Sequence, residues 1–84
     1  MTYDVELSDK AYGQLKKLDK AVQERIIASL ERIRIRPERF VTKLVGDPGF
    51  KLRVGDYRVV MEIDQKAMRI IVLMVGHRKN VYER

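Results

Sequence analysis

The residue pattern predicts an α+β fold. A small antiparallel sheet, made of an N-terminal strand and a three-strand meander, packs on a two-helix hairpin in the order β-α-α-β-β-β. Three observations predict it. Tyr3-Asp4-Val5-Glu6-Leu7 alternates apolar and acidic, as a half-buried strand does. Two stretches of helical period follow with almost no connection between them. The second half then holds three alternating runs separated by turn residues.

Ser8 suits the N-cap of the first helix, and Asp9 places a negative charge in its first turn. Ala11, Leu15 and Leu18 form one apolar stripe, with Lys16, Lys17 and Lys20 outside it. Asp19 suits the cap of a second helix from Lys20 to about Arg34. Val22, Ile26, Ile27, Leu30 and Ile33 recur there at helical spacing. Pro37 stops that helix, because the residue before a proline avoids helical geometry. Residues 36–49 read as a connection, with a short extended piece at Lys43-Leu44.

Phe50 to Val54 and Tyr57 to Ile63 flank the two-residue turn Gly55-Asp56. Glycine at the first position suits a type II′ hairpin turn. Pairing Val54 with Tyr57 sets Arg53 opposite Arg58, Leu52 opposite Val59 and Lys51 opposite Val60. One face then carries Phe50, Leu52, Val54, Tyr57, Val59 and Met61, and the other carries Lys51, Arg53 and Arg58. Two directly opposed arginines repel. An anion is the expected partner.

A second turn follows, with Asp64 expected to pair with Ala67, Glu62 with Arg69 and Met61 with Ile70. That register sends Met68, Ile70, Val72 and Met74 to the helix-covered core and leaves Ile71, Leu73 and Val75 beside Arg58 and Val60. Val60, Ile71 and Leu73 are therefore candidates for a partner-binding face. The alternative is that the C-terminal tail covers them. Gly76 is expected to break the strand and bend the tail, bringing His77, Arg78 and Tyr82 to the basic face.

The chain has 84 residues, no cysteine, one histidine and a net charge of +6. This length implies one domain, residues 1–84, burying only about 60% of its unfolded surface or a little more. Disulfides, thiolate chemistry and a histidine-rich metal site are excluded, and no cofactor is called for. No apolar run reaches the roughly 18 residues of a membrane span, and the N-terminus lacks a signal-peptide pattern. A cytoplasmic location is the expectation. Residues 1–42 hold 9 Lys/Arg against 7 Asp/Glu, and residues 43–84 hold 9 against 5, so the positive excess leans toward the hairpins. Such a field favours nucleic acid or an acidic protein.

Lys51, Arg53, Arg58, Arg78, His77 and Tyr82 include no carboxylate pair and no nucleophile beside a base. They suit a phosphodiester. Arginine binds phosphate bidentately, and tyrosine stacks on bases. RNA carries its own nucleophile, the 2′-hydroxyl, so a protein need only align the reacting atoms, stabilise charge and move protons. Arg58 and Arg78 would stabilise that charge. Arg53 is a poor base. Lys51 could serve if neighbouring cations favour its neutral form, and Tyr82 and His77 are rivals for the acid or base role. The bland readings stand beside these: cations on a solvated strand face, a surface histidine and a packing tyrosine.

Together, Lys43-Leu44-Val45-Gly46-Asp47-Pro48, Lys51-Leu52-Arg53-Val54-Gly55-Asp56-Tyr57-Arg58 and Gly76-His77-Arg78-Lys79-Asn80-Val81-Tyr82 resemble the RelE/ParE toxin superfamily of toxin–antitoxin systems over nearly the whole chain. The resemblance implies a RelE-like endoribonuclease that cuts mRNA in the ribosomal A site without a metal, leaving a cyclic phosphate. It implies catalytic roles for Lys51, Arg53, Arg58, Arg78 and Tyr82. It also implies an acidic RelB-like antitoxin that wraps the toxin in a heteromeric complex. Arg53 departs from the best-known members, which carry a second lysine there. ParE-like relatives share the fold but inhibit DNA gyrase, and a non-catalytic antitoxin-binding member is the third possibility.

Overall fold

The computed structural model describes residues 2–79. The elements run β1 (Asp4–Leu7), α1 (Asp9–Lys16), α2 (Lys20–Arg32), a 3₁₀ turn (Pro37–Arg39), β2 (Thr42–Lys43), β3 (Phe50–Val54), β4 (Tyr57–Asp64) and β5 (Arg69–His77). This is the expected α+β class and order, with the two-residue β2 added. The five strands form one sheet in the order β1-β5-β4-β3-β2. The sheet is mixed rather than wholly antiparallel, because β1 lies parallel to β5, with Val5 beside Ile70 and Leu7 beside Val72. Alternation sets the faces of a strand and leaves its neighbour open, so the sequence did not specify this pairing.

The helix boundaries follow their caps. Ser8 Oγ accepts the Ala11 N–H at 3.1 Å and donates to the Leu73 carbonyl at 3.2 Å, so one side chain both starts α1 and ties it to β5. Asp19 occupies the N-cap position of α2 without a side-chain cap bond. The helix stops at Arg32, and its chain end is held where the Tyr3 N–H donates to Arg34 O at 2.8 Å and Arg34 Nε donates to Tyr3 O at 2.7 Å.

The core lies between the helices and one face of the sheet. Ala11 and Leu15 of α1 and Ile26 and Leu30 of α2 meet Leu52, Val54, Val59, Met61, Ile70, Val72 and Val75. Met61, Val59, Ile70 and Val72 are fully buried.

The β3–β4 hairpin has the expected register, including Val54 opposite Tyr57 and Arg53 opposite Arg58. Gly55 has φ +59° and Asp56 does not share the left-handed region, as a type II′ turn requires.

The β4–β5 register is shifted by two residues from the expectation. Asp64 pairs with Arg69, Glu62 with Ile71 and Met61 with Val72. The turn spans four residues, Asp64 Oδ1 accepts the Ala67 N–H at 3.0 Å, and Met68 adopts φ +55° outside the strand. Arg69 forms an ion pair with Glu6 of β1 at 2.9 Å.

A bulge between Val60 and Met61 then inserts Leu73 as an extra residue on β5, because Val60 pairs with Met74 and Met61 with Val72. One inserted residue reverses the facing of everything after it. Val75, expected beside Arg58, is instead buried in the helix-covered core, and Met74 moves to the opposite face. The backbone groups that β1 no longer pairs are satisfied from α1, where Gln14 Oε1 accepts the Val75 N–H at 2.8 Å. Among the described residues, no helix is long and apolar enough to cross a membrane.

Candidate functional site

The face of the sheet away from the helices presents Arg53 and Arg58 side by side, with Lys51 two residues before Arg53. These three cations line one groove of about 250 Å³ together with Phe40 and Thr42. The elements position them simply. The tight Gly55-Asp56 turn fixes the β3–β4 register, and strand alternation aims every second residue outward. β2 places Thr42 directly beside Lys51, and the 3₁₀ turn before it delivers Phe40, which is 44% exposed.

Arg53 Nε donates to the carbonyl of Gly55 at 3.2 Å, which draws that guanidinium toward the turn. Among the described residues, neither Arg53 nor Arg58 makes an ion pair. On its other side Arg58 faces Gly76, which contributes no side chain, so the surface beside Arg58 is left open. A groove with opposed guanidinium groups, a hydroxyl and an exposed aromatic ring can bind an anion bidentately and stack a planar base. Among the described residues, no cluster of His, Asp or Glu could hold a metal ion.

His77 differs from expectation. Gly76 does not break the strand, since β5 runs through His77 and the Arg78 N–H donates to Asp56 O at 2.8 Å. The ladder therefore continues to the hairpin turn, and it sets His77 opposite Tyr57. Their rings meet edge to face with centroids 5.4 Å apart, on the side where Tyr57 packs against the core. His77 thus lies on the helix side of the sheet, away from Lys51, Arg53 and Arg58. Its Nδ1 accepts the Lys79 N–H at 3.2 Å. Arg78 is anchored by its backbone to the same turn that carries the arginine pair. Tyr82 lies outside the described residues.

The expected open apolar face is divided. Val60 is 2% exposed, sealed in a small cluster with Leu44 and Met74, so it offers no surface of its own. The cover comes from the connection before β3. Ile71 is half-buried and lines a separate groove of about 620 Å³ with Glu38, Phe50, Glu62 and Asp64. Leu73 is half-buried at the bulge. Phe40 and Thr42 are the site residues that sequence reasoning passed over. Their signal was an aromatic followed by the β-branched pair Val41-Thr42, just after a proline-led turn.

Comparison with known proteins agrees with this architecture. A family model described as the ParE toxin of the type II toxin–antitoxin system parDE matches residues 5–82. An Escherichia coli protein described as RelE-like toxin is 30% identical over 82 residues, covering 94% of this chain and 86% of that protein. The fold matches the structure of the RelBE2 toxin–antitoxin complex from Mycobacterium tuberculosis with TM-score 0.86, 25% identity and coverage of 93% of this chain and 100% of that one. It matches the intact E. coli RelBE complex with TM-score 0.77, 28% identity and coverage of 98% and 99%. The chain therefore belongs to the RelE/ParE superfamily and is a RelE-like toxin of the type II toxin–antitoxin class.

Proposed function

We propose that this chain is a ribosome-dependent endoribonuclease that cleaves mRNA in the A site. The observation that carries the reading is the Arg53–Arg58 pair, two cations held opposite each other with no ion-pair partner among the described residues. In the proposed reaction the 2′-oxygen attacks the adjacent phosphorus as its proton leaves to a base. The bond from phosphorus to the 5′-oxygen breaks, and that oxygen takes up a proton. The products are a 2′,3′-cyclic phosphate and a 5′-hydroxyl.

Arg58 stabilises the charge that builds on the phosphoryl oxygens, and Arg78 joins it from the end of β5. Preformed donors of this kind contribute because they need no reorganisation as the charge develops. Lys51 and Arg53 hold phosphates, and Thr42 donates a hydroxyl hydrogen bond. Phe40 stacks a base, and Tyr82 stacks a base or transfers a proton. His77, on the other face, is assigned no role in the reaction. An acidic RelB-like antitoxin neutralises the toxin by covering the basic groove, with Ile71 and Leu73 as apolar contacts, and both proteins act in the cytoplasm. That assignment is supported by the RelB complexes formed by the relatives of known structure.

A second reading has its own support. The family model that matches residues 5–82 describes ParE, so a gyrase inhibitor on the same fold is the alternative. Purified protein added to a translating extract distinguishes the two. Primer extension should show cuts within A-site codons only when ribosomes are programmed with that message. Intact message together with inhibited DNA supercoiling would establish the gyrase reading instead. Loss of both effects would leave a member that only binds its antitoxin.

A further inference from the structure

Beside the groove just described lies a second one of about 420 Å³, between α2 and the outer edge of β3. Arg25, Ser29 and Arg32 line it from the helix, and Leu52, Arg53, Val54 and Gly55 line it from the hairpin. Phe40 and Arg53 line both grooves, so the two adjoin at these side chains. β2 covers β3 only at Phe50 and Lys51, which leaves the strand edge from Leu52 onward facing this second groove.

Two guanidinium groups converge on one glycine there. Arg53 Nε donates to Gly55 O at 3.2 Å. Arg25 Nη2 lies 2.7 Å from where a Cβ on residue 55 would stand, so the absence of a side chain admits it against the turn. Among the described residues, Arg25, Arg32 and Arg53 make no ion pair, and neither does Asp56 in the turn beside them. Three guanidinium groups gathered along one groove, none of them paired to the neighbouring Asp56 carboxylate, favour an external anion.

We propose that this groove is an extension of the RNA-binding track, in which Arg25 and Arg32 grip backbone phosphates flanking the cleaved bond. The inference rests on the endoribonuclease reading. Single-stranded RNA is favoured over an acidic peptide because the exposed Phe40 ring stands where the two grooves join. A polynucleotide can place a base on that ring and a phosphate in each groove. A peptide offers no regular alternation of planar ring and anion. Arg25 and Arg32 are binding residues and take no part in proton transfer.

The test uses the full chain and a fluorescent 2′-O-methyl oligonucleotide of roughly twelve nucleotides, which cannot be cut and spans a typical single-strand site. Binding is titrated against salt. Each phosphate contact to a single strand contributes about 0.7 to the slope of log affinity on log salt. Arg25→Ala with Arg32→Ala should lower the slope by about 1.4, Arg58→Ala by about 0.7, and the doubly lysine-substituted Arg25→Lys, Arg32→Lys protein should retain most of it. Thermal melting checks that each variant is folded, and the lysine variant separates charge from packing at Gly55. If Arg58→Ala lowers the slope and the double alanine variant does not, the track ends at the first groove and the inference is wrong, while the endoribonuclease reading stands. If none of the variants changes the slope, the RNA reading fails and the inference fails with it. If the double variant loses a poly-glutamate peptide but keeps the oligonucleotide, the groove is an acidic-peptide site and the proposal is overturned.

Discussion

The two faces of the β3–β4 hairpin share one backbone and have opposite tasks. Leu52, Val59 and Met61 point to the helices and are sealed from water, while Lys51, Arg53 and Arg58, one position away, line an open groove. Burial of the first set holds the sheet on its helices. The second set is held by that same sheet yet contributes little to it, and Arg53 opposite Arg58 works against the pairing. The difference teaches how a short chain carries an electrostatically unfavourable surface. The cost is confined to one face of a hairpin whose register is already fixed by its turn and by the core beneath it.

That separation can be broken or sharpened by substitution. The largest effect is expected at Arg58. Arg58→Ala should reduce cleavage by about 10²–10³-fold while leaving the melting temperature unchanged or slightly higher, as checked by a cleavage assay and calorimetry on the same sample. Met61→Ala probes the opposite face. It should cost about 3 kcal/mol in denaturant unfolding, because a fully buried side chain is replaced by a cavity, with the groove chemistry retained in the folded fraction. Gly55→Ala touches both faces through the turn. A positive φ and the close Arg25 guanidinium make it destabilising by about 1–3 kcal/mol in the same unfolding measurement. Ser8→Ala is the smallest, about 1 kcal/mol, from the lost N-cap and the lost tie to Leu73 O. It should leave oligonucleotide binding unchanged.

The two hairpins also differ in how far they could be read before the structure was known. The β3–β4 register was legible because Gly55-Asp56 suits a two-residue hairpin turn, and alternation then placed Lys51, Arg53 and Arg58 together. The β4–β5 register was not. Its turn is a four-residue loop in which a methionine takes a positive φ, a conformation that no residue type signalled. The bulge at Leu73 carries no glycine and no composition mark, yet it moved Val75 into the core and Met74 out of it. Continuation of the ladder through Gly76 then carried His77 to the helix side. Phe40 and Thr42 reached the groove by tertiary placement of the 36–49 connection, which local pattern does not encode. The same connection delivered Leu44 to cover Val60, so the apolar face expected to be open was closed by a segment read only as a linker.

The measurement that tests the central claim most directly is primer extension on a message translated in vitro with wild-type protein and with Arg58→Ala at equal folded concentration. The exposed face of the hairpin carries the activity if wild-type protein cuts A-site codons only in the presence of ribosomes and the folded variant leaves the message intact. Cleavage by the folded variant at the wild-type rate would contradict it.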